Sequence, residues 1–287
     1  MYVYDTLQCA LAEGVLTVTI NNPPCNVMTV ALYRDLVNFT KDVADDNEVR
    51  VIVLESADPD FFIAHFDIEL LLQTDINVPA VKRTELNGFH AMCHRLATMP
   101  KVSIVKMAGR AGGGGNEFAA CADMRFGLRN RTKVNQMEVA LGILPGGSGT
   151  QMLPRLVGRG RAMEIVLGSD DIDAQTLCDW GYLNRVFDNQ LALDTHVDQL
   201  ARRIASFPPE AVALCKQSVN NAELELEAGL VEEAYLFQQT LRAPGAFRNM
   251  QRALALGAQT REGELRMGEL CAELGQLTRE LNDQQPK

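Results

Sequence analysis

Apolar and β-branched residues fill Val15, Leu16, Thr17, Val18, Thr19 and Ile20, and the run stops at Asn21-Asn22-Pro23-Pro24. That pattern predicts a strand closed by a turn. Leu32, Leu36, Val37, Phe39 and Val43 then recur at helical spacing, which predicts a helix over 30–45 capped by Thr29. A second strand is expected over 49–54. The turn signal Asp58-Pro59-Asp60 follows, then an apolar stretch, 61–68, that leads into a short helix over 68–73. A longer helix is expected over 79–98, a strand over 102–107 and a short strand at 124–127. From Thr150 onward the pattern is almost wholly helical, with strand signals fading after Val186-Phe187 and amphipathic helices over 191–206, 209–221, 223–241 and 246–257. Strand and helix alternate in the first half, so the fold class is α/β, with a core over 1–207 and a helical part over 208–287. Pro208-Pro209 is the expected hinge. In the last stretch Met267, Leu270, Leu274, Leu277 and Leu281 make an apolar seam on a charged helix, suited to packing on its own chain or on another subunit.

Composition narrows the function. The chain has 287 residues, 47% of them hydrophobic, and a formal net charge of -10. The negative charge argues against a nucleic-acid groove or an anionic membrane surface as the main partner, so an anionic ligand has to be held locally. Seven cysteines stand at 9, 25, 93, 121, 178, 215 and 271, with no close pair to suggest a disulfide framework or zinc knuckle. With no leader pattern and no run long enough to span a bilayer, the expected compartment is the cytoplasm.

The most unusual stretch is Ala111-Gly112-Gly113-Gly114-Gly115-Asn116-Glu117, between a strand-like run and a helix-forming segment. Four successive glycines cost backbone entropy and suit a sharp turn or a close approach. The free amides of a helix start there favour a negative oxygen. Glu117 could simply complement the helix dipole. Glu138 lies inside an apolar segment that runs on through 139–144, where an unpaired carboxylate is costly without a role or partner. Two such carboxylates beside backbone donors are what proton transfer next to a carbonyl requires, the amides stabilising the enolate oxygen between the steps.

With these residues in view the chain resembles the crotonase, or enoyl-CoA hydratase/isomerase, superfamily. The resemblance runs from about Gly14 to about Ala222. It rests on the strand-turn with Asn21, Pro23 and Asn26, the stretch from Phe62 to Ile68, the glycine run with Glu117, Asp123, the Glu138 segment, and the stretch from Pro145 to Gln151. It implies a repeated ββα spiral core and a helical C-terminal part that builds a homotrimer or a dimer of trimers. It also implies an acyl-CoA substrate whose thioester oxygen is held by the backbone amides of Phe66 and Gly114. Hydratases of the family are similar in holding glutamates at both positions occupied here by Glu117 and Glu138. The implied reaction is hydration of a 2-enoyl-CoA, with Glu117 as base for the water and Glu138 as proton donor to C2. By the same resemblance Ala64, His65, Asp67, Ile68 and Gly113 belong to the substrate site, and the backbone of Gly146 positions the water or Glu138. No cofactor is implied beyond the coenzyme A of the substrate.

Some features depart from the family pattern. His65-Phe66 stands where relatives have small residues, so the Phe66 ring can reshape the acyl pocket. Pro23-Pro24 has no basic neighbour to meet CoA phosphates, and 243–248 lacks the lysine-rich pattern common there. Other signals are weak. His90 and His94 are four apart, but Ala91 replaces the glutamate of the catalytic zinc pattern, so no metal is expected. Ser148 lies in no Gly-x-Ser-x-Gly, because residue 150 is Thr. Arg129, Arg131 and Lys133 form a small basic turn, suited to solvent, CoA phosphates or a neighbouring subunit. Isomerisation, thioester hydrolysis or hydration with carbon–carbon cleavage on the same scaffold, or a silent assembly subunit, are the alternative readings.

Overall fold

The structure is a computed structural model that describes residues 2–73, 84–223 and 245–257, with positions 75, 77, 79, 235, 237, 239, 259, 269, 271 and 273–277. Its strands are β1 (Leu7–Ala12), β2 (Val15–Ile20), β3 (Val51–Ser56), β4 (Phe61–Ile63), β5 (Val102–Met107), β6 (Arg110–Gly112), β7 (Met124–Leu128), β8 (Lys133–Asn135), β9 (Ile172–Asp173) and β10 (Arg185–Phe187). The helices are α1 (Val30–Ala44), α2 (Ile68–Leu72), α3 (Gly88–Thr98), α4 (Gly113–Ala120), α5 (Gly149–Val157), α6 (Arg159–Gly168), α7 (Ala174–Asp179), α8 (Gln190–Ala205), α9 (Pro209–Asn220) and α10 (Ala246–Ala255).

The strands form two sheets, in the orders β1-β2-β3-β5-β7-β10 and β4-β6-β8-β9. All neighbours are parallel except β1 with β2 and β9 with β8. A parallel strand covered on both faces reads as a continuous apolar run, and β3 does so. Its Ile52 and Leu54 enter the main core with Leu36, Phe39 and Phe62. Val51 and Val53 face the other way and meet Leu193, Val197 and Ala201 of α8, which covers the large sheet.

Local chemistry matches several expectations. The Thr29 hydroxyl accepts from the Leu32 amide at the start of α1, and β2 occupies the expected residues. Two outcomes differ. The helix expected over 79–98 starts only at Gly88, where Asn87 caps it by accepting from the His90 amide, and the described residues just before it are not helical. Past Thr150 the chain still contributes β10, at the last strand signal Val186-Phe187, and β9, a strand of two residues that is too short to leave an alternating signature. The short β6 and β8 escape sequence reading for the same reason. Of the helix expected over 223–241 only four positions are described, and Met267, Leu270 and Leu281 of the terminal seam also lie outside the described residues. Leu274 and Leu277 are half-buried, and Gly275 between them lies against Ser206 and Phe207 of the same chain.

Two contacts place the site. Asn26, buried and held at φ 53°, accepts from the Asn22 amide and donates to the Ser56 hydroxyl and the Phe62 carbonyl, so the first turn is tied to β4. The glycine run then presses against the chain leaving β4. A Cβ on Gly112 would lie 2.5 Å from the Ala64 carbonyl oxygen, and one on Gly115 would lie 2.7 Å from Ile63 Cβ. Only glycine permits that approach.

Helix α9 is fastened to the preceding chain by a buried cation. Lys216 of α9 donates to Asp123 (2.9 Å) and to the carbonyls of Lys101 (2.8 Å) and Leu96 (3.2 Å). Burial pushes its pKa down, against the pull of Asp123. Breaking a buried pair from one side strands the other partner, so Lys216→Met is expected to cost about 3 kcal/mol of stability in urea titrations followed by Trp180 fluorescence. A loss below about 1 kcal/mol would show that the pair is not what holds α9 to the core.

Candidate active site

Helix α4 is buried along its whole length, which is uncommon for a helix carrying a carboxylate. Its far end is held by Arg125, whose buried guanidinium donates to the Ala122 carbonyl (2.6 Å) and the Tyr182 carbonyl (2.8 Å) and lies over the Tyr182 ring. A cation at a helix C-terminus satisfies orphan carbonyls and complements the dipole. The near end, at Gly114, faces a cavity of about 350 Å³.

Glu117 stands one turn into α4 and is 4% exposed. Its Oε1 accepts from the Gly147 and Gly149 amides, both at 2.8 Å. The glycine-rich loop read from the sequence therefore serves as a clamp on this carboxylate. Ser148 between the two amides adopts φ 116°, a conformation few non-glycine residues take, and its hydroxyl donates to the Glu117 carbonyl at 3.3 Å. Burial raises the Glu117 pKa, and the Gly149 and Gly147 amides and the charge of His90 oppose it.

Glu138 precedes a short 3₁₀ turn (Val139–Leu141) and is 8% exposed. Gln136 donates to its Oε2 at 3.1 Å and itself accepts from Asn116 at 2.6 Å, while the Tyr182 hydroxyl donates to Asn116. This chain of donors runs from the Arg125–Tyr182 stack to the carboxylate. Burial, followed by the Glu117 charge, pushes the Glu138 pKa up to about 7; its own backbone amide and Gln136 pull the other way.

The amides of Phe66 and Gly114 are neighbours, since a Cβ on Gly114 would lie 3.5 Å from Phe66 N and 3.0 Å from Phe66 Cβ. As a first-turn amide, that of Gly114 has no intrahelical acceptor, and neither group has another acceptor among the described residues. The structure thus brings Phe66, Gly114, Glu117, Glu138 and Gly146 to one cavity.

The remaining sequence candidates stand beside the cavity rather than along its lining. Gly113 is at φ 45°, and a Cβ there would lie 2.9 Å from Glu138 Oε1 and 3.5 Å from His65 Cβ. The His65 Nδ1 is 2.8 Å from the Phe66 carbonyl oxygen. Ala64 donates its amide to Asn26, and Asp67 caps α2, whose first residue is Ile68, by accepting from Glu69. Sequence reading missed Tyr33, Asn87 and Phe89, which also line the cavity. Tyr33 sat among the apolar positions of α1 without distinction, and nothing local marks Phe89. The apolar Leu71, Ile143 and Leu144 complete an exposed rim.

The basic turn is occupied locally. Arg129 pairs with Asp188, Arg131 with Asp60 and Lys133 with Asp171. Among the described residues no group of three or more His, Cys, Asp or Glu side chains is arranged to hold a metal ion, and no helix is long and apolar enough to cross a membrane.

Comparison with known proteins identifies the family. Residues 10–251 match the enoyl-CoA hydratase/isomerase family. The short-chain-enoyl-CoA hydratase of Clostridium acetobutylicum is 31% identical over 78% of this chain and 85% of its own. The 1,2-epoxyphenylacetyl-CoA isomerase of Escherichia coli is 30% identical over 74% of this chain and 80% of its own. A solved structure from Streptomyces avermitilis, provisionally assigned as an enoyl-CoA hydratase, is 38% identical, with a TM-score of 0.70 over 96% of this chain and 100% of that one.

A carboxyl whose pKa rises on folding binds its proton more tightly in the native chain. Its contribution to stability is therefore complete below the unfolded value of 4.5 and is lost as pH climbs through about 7. Glu138→Gln removes that loss. The stability of the variant relative to the wild type, read by denaturant titration, should improve by about 3 kcal/mol between pH 4.5 and pH 8. A difference that stays flat across that window would mean that Glu138 is not held protonated by its surroundings.

Proposed function

Because this chain belongs to the enoyl-CoA hydratase/isomerase family, we propose that it adds water to the double bond of a 2-enoyl-CoA thioester, giving the 3-hydroxyacyl-CoA. The observation that carries this reading is the pair of buried glutamates on one cavity, one clamped by two backbone amides and the other with its pKa raised to about 7. Near neutral pH such a pair divides into a base and an acid.

In the proposed reaction the thioester oxygen accepts from the Phe66 and Gly114 amides. Glu117 and Glu138 orient one water with the help of the Gly146 backbone. Glu117 takes a proton as the water oxygen attacks C3, the electron pair moves to the thioester oxygen, and the two amides hold the resulting enolate. Glu138 then delivers its proton to C2 as the enolate collapses. Passage of the Glu117 proton to Glu138 through water closes the cycle, so the substrate gains one molecule of water and loses nothing. An oxyanion-hole donor of this kind is commonly worth about two to three orders of magnitude in rate. Displacing the Gly114 loop should therefore be as damaging as losing a carboxylate.

The same reading implies a homotrimer or a dimer of trimers. The exposed apolar side chains of Val139 and Leu141 beside the cavity support a subunit surface there. Isomerisation, the activity named for one relative, would leave the substrate mass unchanged.

The test is the loss of enoyl-thioester absorbance with a short 2-enoyl-CoA. Glu117→Gln and Glu138→Gln should each lower kcat by at least about 100-fold while thioester binding by calorimetry stays close to wild type. Wild-type rates in either variant would overturn the two-carboxylate mechanism. In the wild type, kcat/KM should fall as pH rises above about 7, where Glu138 loses the proton it delivers. A plateau extending past pH 9 would assign the proton to another group.

A further inference from the structure

We infer that the pocket favours an acyl group whose C3 carries a flat aromatic ring over one carrying a saturated substituent of the same size. This rests on the reading of the cavity as an acyl-thioester site. Three aromatic side chains, Tyr33, Phe66 and Phe89, line the cavity and touch one another. Tyr33 and Phe89 lie nearly parallel, 10° apart with centroids at 6.1 Å. Phe66 stands edge-on to both, at 6.0 Å from Tyr33 and 6.3 Å from Phe89.

Their place relative to the reacting groups gives this wall its role. A Cβ on Gly147 would lie 2.6 Å from Glu117 Oε2 and 2.7 Å from Phe89 Cε1, so the edge of Phe89 and the carboxylate flank the same glycine. Phe66 supplies one of the two amides for the thioester oxygen. With the oxygen on those amides and C3 at Glu117, the substituent beyond C3 faces the rings. The aliphatic rim of Leu71, Ile143 and Leu144 remains for the thioester's exit.

The wall is built before any ligand arrives. Tyr33 is fixed on α1, and Phe89 lies in the first turn of α3 behind the Asn87 cap. Gly88 makes room for the Tyr33 hydroxyl, which a Cβ there would approach to 2.5 Å. Stacked and edge-to-face ring pairs contribute beyond the area they bury, and a puckered ring forms neither. Burial alone would favour the saturated ring, which is the more apolar of the two. The two effects therefore predict opposite orders.

The test is calorimetric binding of 3-phenylpropanoyl-CoA and 3-cyclohexylpropanoyl-CoA, which have equal carbon counts and no double bond to hydrate. The wild type should bind the phenyl ester about tenfold more tightly, and Phe89→Leu should narrow the ratio to about twofold or less. Tyr33→Leu is the second variant, should Phe89→Leu lose its fold by circular dichroism. Equal affinity, tighter binding of the cyclohexyl ester, or an unchanged ratio in a folded variant would overturn the inference. If the enzyme does not hydrate enoyl thioesters yet shows the ratio and its loss, the reaction assigned above fails and the aromatic selectivity stands. If neither ester binds, both fail.

Discussion

The structure depends on one close backbone approach. The chain leaving β4 and the first turn of α4 touch through main-chain atoms, with Gly112 and Gly115 at the points where any side chain would collide with Ala64 and Ile63. That contact brings the amide of Phe66 beside the amide of Gly114. The cost of ordering glycines is offset by burial of the rest of α4, by Arg125 on its C-terminal carbonyls and by the Asn26 links that hold β4 in place. Each of these lies away from the reacting atoms, yet each fixes where the two amides point.

The carboxylates are handled by two different local arrangements within one apolar setting. Glu117 is given two backbone donors from a glycine loop, which favour its ionised form and counter the burial that raises its pKa. Glu138 is given a single side-chain donor at the end of the Tyr182–Asn116–Gln136 chain, and burial together with the Glu117 charge leaves it protonated to higher pH. Such a separation of neighbouring groups is how one pocket holds an acid and a base at the same pH.

Much of this is legible along the chain because the relevant features are local. The β-branched runs of β2, β3 and β5 are bounded by turns, Thr29 caps α1 in its own sequence context, and the four glycines before Glu117 mark a close approach wherever they occur. The isolated polarity of Glu138 within an apolar segment marks it in the same way. What is not legible is what comes together from distant parts of the chain. Tyr33 and Phe89 lie on different helices and meet only when α1 and α3 pack, and the two-residue strand β9 exists because β8 provides an edge for it. The start of α3 at Gly88 follows from Asn87 acting as its cap, a local cue outweighed on paper by the helix-forming residues before it. The glycine loop from Pro145 to Gly149 reads as a loop in sequence; its use as a clamp on Glu117 is a tertiary fact.

The central claim is that the two amides and two glutamates cooperate to add one water to a conjugated thioester. The most direct measurement is mass spectrometry of the product formed from a short 2-enoyl-CoA in water enriched in oxygen-18. The account predicts that the product keeps its coenzyme A and gains the mass of one labelled water, with the heavy oxygen on C3. A product of unchanged mass, or a free thiol with the label in a released carboxylate, would contradict it.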